Sequence, residues 1–300
     1  MKIRSVTMIV SIIIMVFMMV TNIALSYQGG IYEPKEPPFY RGFEIRIKGW
    51  ASQLTGTTSF NPNASYSTTR GTSFSFPNTF DLKNVYGFGG TRTSIQIEAR
   101  KEINENSFAN ICYFADTRES RVNLTSDVAF VWNQKSQPSD TTPGITYLPQ
   151  GTELSTTIKI NTFEIGYGYY IGKKYQKGYL AALVGLRFNN IAIDWGYRGQ
   201  SISGVDRYRR RGASGFIGID GRYMFSDNVS GYIKINGGVV GGAGNRIGQF
   251  EYEIGTTIKI TEQLSAEIGY KYADIKAREE IGSKIAIKLQ GINGGLVFKF

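Results

Sequence analysis

A chain of 300 residues with one cysteine, no histidine, 36 glycines, 19 tyrosines and 18 phenylalanines could divide into two small domains or close into one barrel, and length does not choose between them. Charged residues make up 19% and are spread along the chain, with a formal net charge of +10, which excludes a helical membrane protein and a disordered one. The lone Cys112 also rules out an internal disulfide framework.

The N-terminus reads as an export signal. Lys2 and Arg4 form a short positive region, Val6 to Val20 is almost wholly apolar, and Ala24 and Ser26 are small residues at the −3 and −1 positions of a cleavage site. Residues 1–26 are therefore expected to be removed, which lowers the net charge by two. The competing assignment is an uncleaved inner-membrane anchor, because the apolar run is nearly long enough to span a bilayer. Cys112 lies far from the cleavage site, so lipid attachment there is not expected. Residues 27–40, with Pro34, Pro37 and Pro38 and little to bury, read as an extended periplasmic leader.

From Arg41 onward the apolar period is two. Phe43, Ile45 and Ile47 alternate with Glu44, Arg46 and Lys48; Ile95, Ile97 and Ala99 with Gln96, Glu98 and Arg100; Ala109, Ile111 and Tyr113 with Asn110, Cys112 and Phe114. Segments of the same kind follow at Phe163 to Ile171, Leu180 to Trp195, Ala213 to Phe225, Val229 to Val239, Phe250 to Ile260, Leu264 to Tyr272 and Ile285 to Phe300. Two of them change phase, near Asn189–Asn190 and near Gly291, as a one-residue β-bulge would make them do. The expectation is about ten antiparallel strands, with eight or twelve as the alternatives.

The connectors alternate in length. Glu102 to Asn106, Gly172 to Lys177, Ser226 to Asn228 and Thr261 to Gln263 are short, whereas Leu54 to Gly90 and Glu119 to Thr156 are long. Short periplasmic turns opposite longer extracellular loops fit a closed transmembrane β-barrel over residues 41–300 better than a soluble sandwich. Pro62, Pro77, Pro138, Pro143 and Pro149 all fall in the long loops, so no proline interrupts a strand. Aromatics sit toward both ends, Tyr169, Tyr223, Phe225, Phe298 and Phe300 at one and Trp195, Tyr197 and Tyr272 at the other, where headgroups would lie.

The chain stops on Asn293, Gly294, Gly295, Leu296, Val297, Phe298, Lys299 and Phe300. A polar residue, a glycine two positions on, and aromatics at the last and third-last positions resemble the C-terminal targeting signal of bacterial outer-membrane β-barrels. That resemblance implies that Gly295, Phe298 and Phe300 are read by the barrel-assembly machinery, and that the last strand closes the sheet against the first. The whole of residues 41–300 resembles the small monomeric barrels of the opacity and OmpA-transmembrane kind.

The second phase of each strand would then face the lumen. It holds both signs: Glu44, Arg46, Lys48, Glu98, Arg100, Asp116, Arg118, Glu164, Arg187, Asp220, Arg222, Glu251, Glu253, Glu267 and Lys271, with Lys234, Lys259, Lys284 and Lys288 beside them. In a barrel this narrow such a set either fills the lumen with ion pairs or lines a narrow pore. Enzymes on outer-membrane barrels, the omptin-type proteases, the phospholipases and the lipid A acylation and deacylation enzymes, rely on a histidine. This chain has none, so no general base of neutral pKa and no His metal ligand is available. No catalysis and no cofactor are expected. Arg207, Arg209, Arg210 and Arg211 cluster on the long-loop side, where guanidinium groups suit the phosphates of lipopolysaccharide; nucleic acid is not an expected partner of an exported barrel.

The functional expectation is a monomeric structural or surface protein of the bacterial outer membrane, with narrow passage of small solutes as its sharper form. The alternatives are an adhesin acting through the long loops and a soluble exported β-sandwich.

Overall fold

The alternation builds ten long strands: β1 (Phe43–Ser59), β2 (Thr91–Asn104), β3 (Ser107–Asn123), β4 (Glu153–Tyr170), β5 (Gly178–Arg198), β6 (Ser203–Ser226), β7 (Val229–Gly242), β8 (Asn245–Lys259), β9 (Leu264–Arg278) and β10 (Lys284–Lys299). The computed structural model describes residues 42–300 except 60–65, 68–72, 75–78, 126, 133–143, 172–176, 200–202, 243–244 and 279–283. The signal-peptide and leader assignments lie outside the described residues. No helix among them is long and apolar enough to cross a membrane.

Each strand pairs antiparallel with its neighbours in sequence order, and β10 pairs with β1 from Glu44↔Lys299 to Ser59↔Lys284, closing the sheet. Closure pairs the first strand with the last, as a wall standing in lipid requires, and a stretch of the wall without a ladder lies above Ile217↔Gly237, where the pairing of β6 with β7 ends among the described residues. A closed sheet of ten strands also excludes the β-sandwich. At the seam, Phe43 N–H donates to the Phe300 carbonyl (3.2 Å), Phe300 N–H to that of Phe43 (2.9 Å), and the two rings lie 6.2 Å apart. Lys48 faces Gly295 across the seam. A Cβ at Gly295 would stand 2.1 Å from the Ile47 carbonyl oxygen, so only glycine lets the closing strands come this close.

On the short-turn half, the outward phase carries Ile47, Ile97, Ile111, Ile165, Val184, Leu186, Ile217, Ile268 and Leu296, all large and exposed. That band is what a lipid-facing wall requires. Over the same height the inward phase is largely polar, as the alternation predicts, with an apolar cluster at the short-turn end.

Above that height the pattern inverts. On the long-loop half, Ile158 and Ile160 of β4, Ile191, Ile193 and Trp195 of β5, Ile275 of β9, and Ile285, Ile287 and Leu289 of β10 all point inward and are buried. Their outward neighbours are Lys159, Asp194, Lys276, Lys284 and Lys288. The two expected bulges are therefore absent. The β5 register runs unbroken through Asn189↔Thr162 and Asn190↔Asn161, and that of β10 through Gly291↔Ser52. What changes there is the face that meets water, not the register.

The bases of both long loops cap this upper core. Thr79–Asp81 pairs with Thr57–Ser59 at the top of β1, and the turn after it buries Leu82, Tyr86 and Phe88 in the mouth. Asp81 fixes that turn by accepting from Lys83 N–H (2.9 Å) and Asn84 N–H (2.8 Å). Burial drives the Tyr86 phenol well above its ordinary pKa, and its hydroxyl lies 3.2 Å from Thr58 Oγ1. From the second loop, Leu124 and Leu148 join the same cluster. Within that loop, Val128–Trp132 pairs with Gly144–Leu148 as a separate ribbon. Pro149 directly follows this ribbon; the other four loop prolines lie outside the described residues.

Candidate functional site: the filled lumen and the cationic outer wall

The lumen is occupied in three layers. At the short-turn end, Phe108, Tyr170, Tyr179, Ala181, Leu183 and Phe216 form an apolar floor. Arg100 lies on it, 3.3 Å from the Phe108 ring centroid, and donates to Asp220 (3.0 Å) and to the Tyr179 hydroxyl (3.1 Å).

The middle layer gathers most of the expected charge set and staples strands across the barrel. Lys48 of β1 donates to Glu253 of β8 (2.7 Å) and stands 2.9 Å from Glu267 of β9. Glu267 also accepts from Arg222 of β6 (2.9 Å), and Glu253 from Tyr232 (2.8 Å) and Asn293 (2.7 Å). Arg187 donates to Glu164 (2.6 Å), Lys234 to Glu98 (3.2 Å), and Lys271 to Gln96 (2.7 Å), with Lys271 3.5 Å from Glu251. Arg46 pairs with Glu44 on its own strand, and Arg118 pairs with Asp116 (2.7 Å) while reaching the Ser52 carbonyl on β1 (3.0 Å). Nearly all these groups are buried, so each charge is tolerated only because a partner faces it. A cavity bounded by residues including Gln96, Cys112, Glu164, Lys234 and Lys271 measures ≈ 10 Å³, which is about one water.

The third layer is the upper apolar core. Sequence reasoning missed it and assigned its residues elsewhere. Trp195 and Tyr197, expected at the outer headgroup level, face inward instead, Trp195 fully buried 6.4 Å from Tyr86 and Tyr197 packed against the same cluster. Lys284 and Lys288, expected in the lumen, lie exposed on the outer wall because Ile285, Ile287 and Leu289 occupy the inward phase. Lys259 sits at the short-turn rim beside Glu262.

The outer wall above the apolar band is cationic. Arg207, Arg209 and Arg211 point outward from β6, with Arg207 on Asp194 of β5, while Arg210 has the inward phase and is half-buried. The four arginines therefore do not form one cluster: three share a face and one does not. On the other side of the barrel, Arg246, Arg278 and Lys284 stand directly opposite one another on β8, β9 and β10. Like charges in that register destabilise a sheet. Replacing Arg278 with Glu converts two repulsive pairs into two attractive ones, and we expect about 1 kcal/mol of stabilisation in a non-ionic detergent. A thermal unfolding midpoint that fell on this substitution would show that the row is not under repulsion.

No group of three or more His, Cys, Asp or Glu residues suited to a metal occurs among the described residues. No protein-family model matches the chain, and no curated protein matches it. Among solved structures it is similar to the outer membrane protease OmpT of Escherichia coli, at 12% identity over 91% of this chain and 99% of that one, with a TM-score of 0.51. The translocator domain of the autotransporter NalP from Neisseria meningitidis follows at 10% identity, 87% and 89% coverage and a TM-score of 0.40. Neisserial surface protein A gives 11%, 87% and 98%, and 0.31. The chain has the fold of the outer-membrane β-barrel proteins.

Proposed function

We propose that this chain is a non-conducting barrel of the bacterial outer membrane whose role is structural and surface-exposed. The observation that carries the reading is the filled lumen: an apolar floor, an ion-pair layer whose central cavity measures ≈ 10 Å³, and an apolar mouth are stacked along it. This favours the filled barrel over passage of solutes. The absence of histidine from the whole sequence favours a protein without catalysis, since no side chain of neutral pKa is available as a general base. In this reading the N-terminal 26 residues direct export, the assembly machinery reads Gly295, Phe298 and Phe300, and the barrel acts as a monomer.

Planar-bilayer recording of the purified full chain tests it. We expect no discrete conductance levels at any voltage up to bilayer breakdown. Reproducible open steps would overturn the reading in favour of a pore.

A further inference from the structure

A groove of ≈ 500 Å³ runs down the outside of the barrel across β3 to β6. Its origin is a step in side-chain size. One outward row reads Tyr113, Phe163, Phe188 and Ala213 across the four strands in register, and the next position down β6 is Gly215. Three rings therefore stand beside a wall cut down to a methyl group and a hydrogen. One row higher, Asn161, Asn190 and Arg211 face outward in register, and one above that Lys159 and Arg209 flank Ala192. The groove is thus apolar below and lined by amides and a guanidinium at its upper end. That switch falls where the outer wall as a whole turns from apolar to charged, on the long-loop side.

We propose that this groove seats a phosphorylated lipid of the outer leaflet, its acyl chain against Phe188, Ala213 and Gly215 and its phosphate on Arg211 and Arg209. Charge selects the head. Arg207 is neutralised by Asp194, but no described acid pairs with Arg209 or Arg211, and the flanking Asn161 and Asn190 amides supply further donors for phosphate oxygens. The apolar trough selects the tail, since an inorganic anion would leave it and the three rings unused. Asn161 is already held by the Tyr113 hydroxyl at 3.4 Å, which fixes its place at the groove's upper end.

The inference rests on the reading of the barrel as membrane-embedded, and its test is made in detergent, where conductance plays no part. Native mass spectrometry of the full chain in a non-ionic detergent would be run with bisphosphorylated lipid A, with its dephosphorylated form and with inorganic phosphate. We expect a one-to-one adduct with the first alone, surviving a large excess of inorganic phosphate. R209Q/R211Q should cut its occupancy about tenfold or more, because charge-assisted hydrogen bonds are lost. A213F, which fills the trough and leaves both arginines in place, should do the same; each variant's heat-induced gel shift checks that it is folded. Equal binding of the dephosphorylated lipid, full competition by inorganic phosphate, or undiminished binding by either folded variant overturns the proposal.

Discussion

Replacing Lys48 with Met is expected to destabilise the barrel by about 3–5 kcal/mol, the usual cost of removing one partner from a buried ion pair. Lys48 is almost wholly buried and sits between two carboxylates, Glu253 and Glu267. The two do not depend on it equally. Glu267 keeps the Arg222 guanidinium at 2.9 Å, whereas Glu253 keeps direct hydrogen bonds only from the neutral donors Tyr232 and Asn293, with Lys271 the cation that still acts on it through space. The charge left without a direct ion pair is therefore that of Glu253. Adding Glu253→Gln to the Lys48→Met chain should restore much of the loss, since the introduced amide is neutral and its carbonyl oxygen can still accept from both donors. Urea unfolding of the four members of this cycle measures the coupling directly. If Glu253→Gln failed to recover stability in the Lys48→Met background, the staple between the closing strand and β8 would not be an energetic unit.

The staples were legible in the sequence as a phase, and only as a phase. Period-two alternation places Lys48, Glu98, Arg187, Glu253 and Lys271 on one face of their strands, because successive side chains of a strand point to opposite sides. Which acid meets which base depends on strand order and shear around a closed cylinder, and no local pattern encodes that. Lys234 and Glu98 are 136 residues apart in the chain yet within 3.2 Å.

The upper half is hard to read in the sequence for a different physical reason. A lipid-facing wall is apolar outside, and a wall standing in water is polar outside, so a strand long enough to leave the membrane must exchange its faces partway along. In β5 the apolar residues pass from Val184, Leu186 and Phe188 to Ile191, Ile193 and Trp195, and in β10 from Ile285, Ile287 and Leu289 to Ile292 and Leu296. A single strand showing this exchange cannot be told from a strand with a bulge. The signal that distinguishes them is repetition at one height. In β9 the apolar set likewise shifts from Ile268 and Tyr270 to Ala273, Ile275 and Ala277, and in β4 from Phe163 to Ile160 and Ile158. Four bulges at one level would be a coincidence, whereas one water boundary requires all four. The same boundary explains why Trp195 points inward: above it, a large ring outside would face water.

That boundary gives the second large prediction. Trp195 lies above it, fully buried and beside Tyr86 of the loop that fills the mouth. Truncating it to Ala removes a large indole from a close-packed core, and we expect a loss of about 3–5 kcal/mol. The expected effect on permeability is none. The ion-pair layer and the aromatic floor lie below Trp195, and the contacts of Lys48, Arg187, Lys271 and Arg100 within them do not involve it. Urea unfolding and planar-bilayer recording on the same preparation of Trp195→Ala separate the two ways in which a closed mouth can matter. A lowered unfolding midpoint with silent bilayers means that the apolar mouth is a core, formed because strands that rise out of the membrane must bury something inside. An unchanged midpoint would remove the indole from that core. Discrete conductance in the variant would mean that the layers beneath let ions through and that the mouth is the barrier.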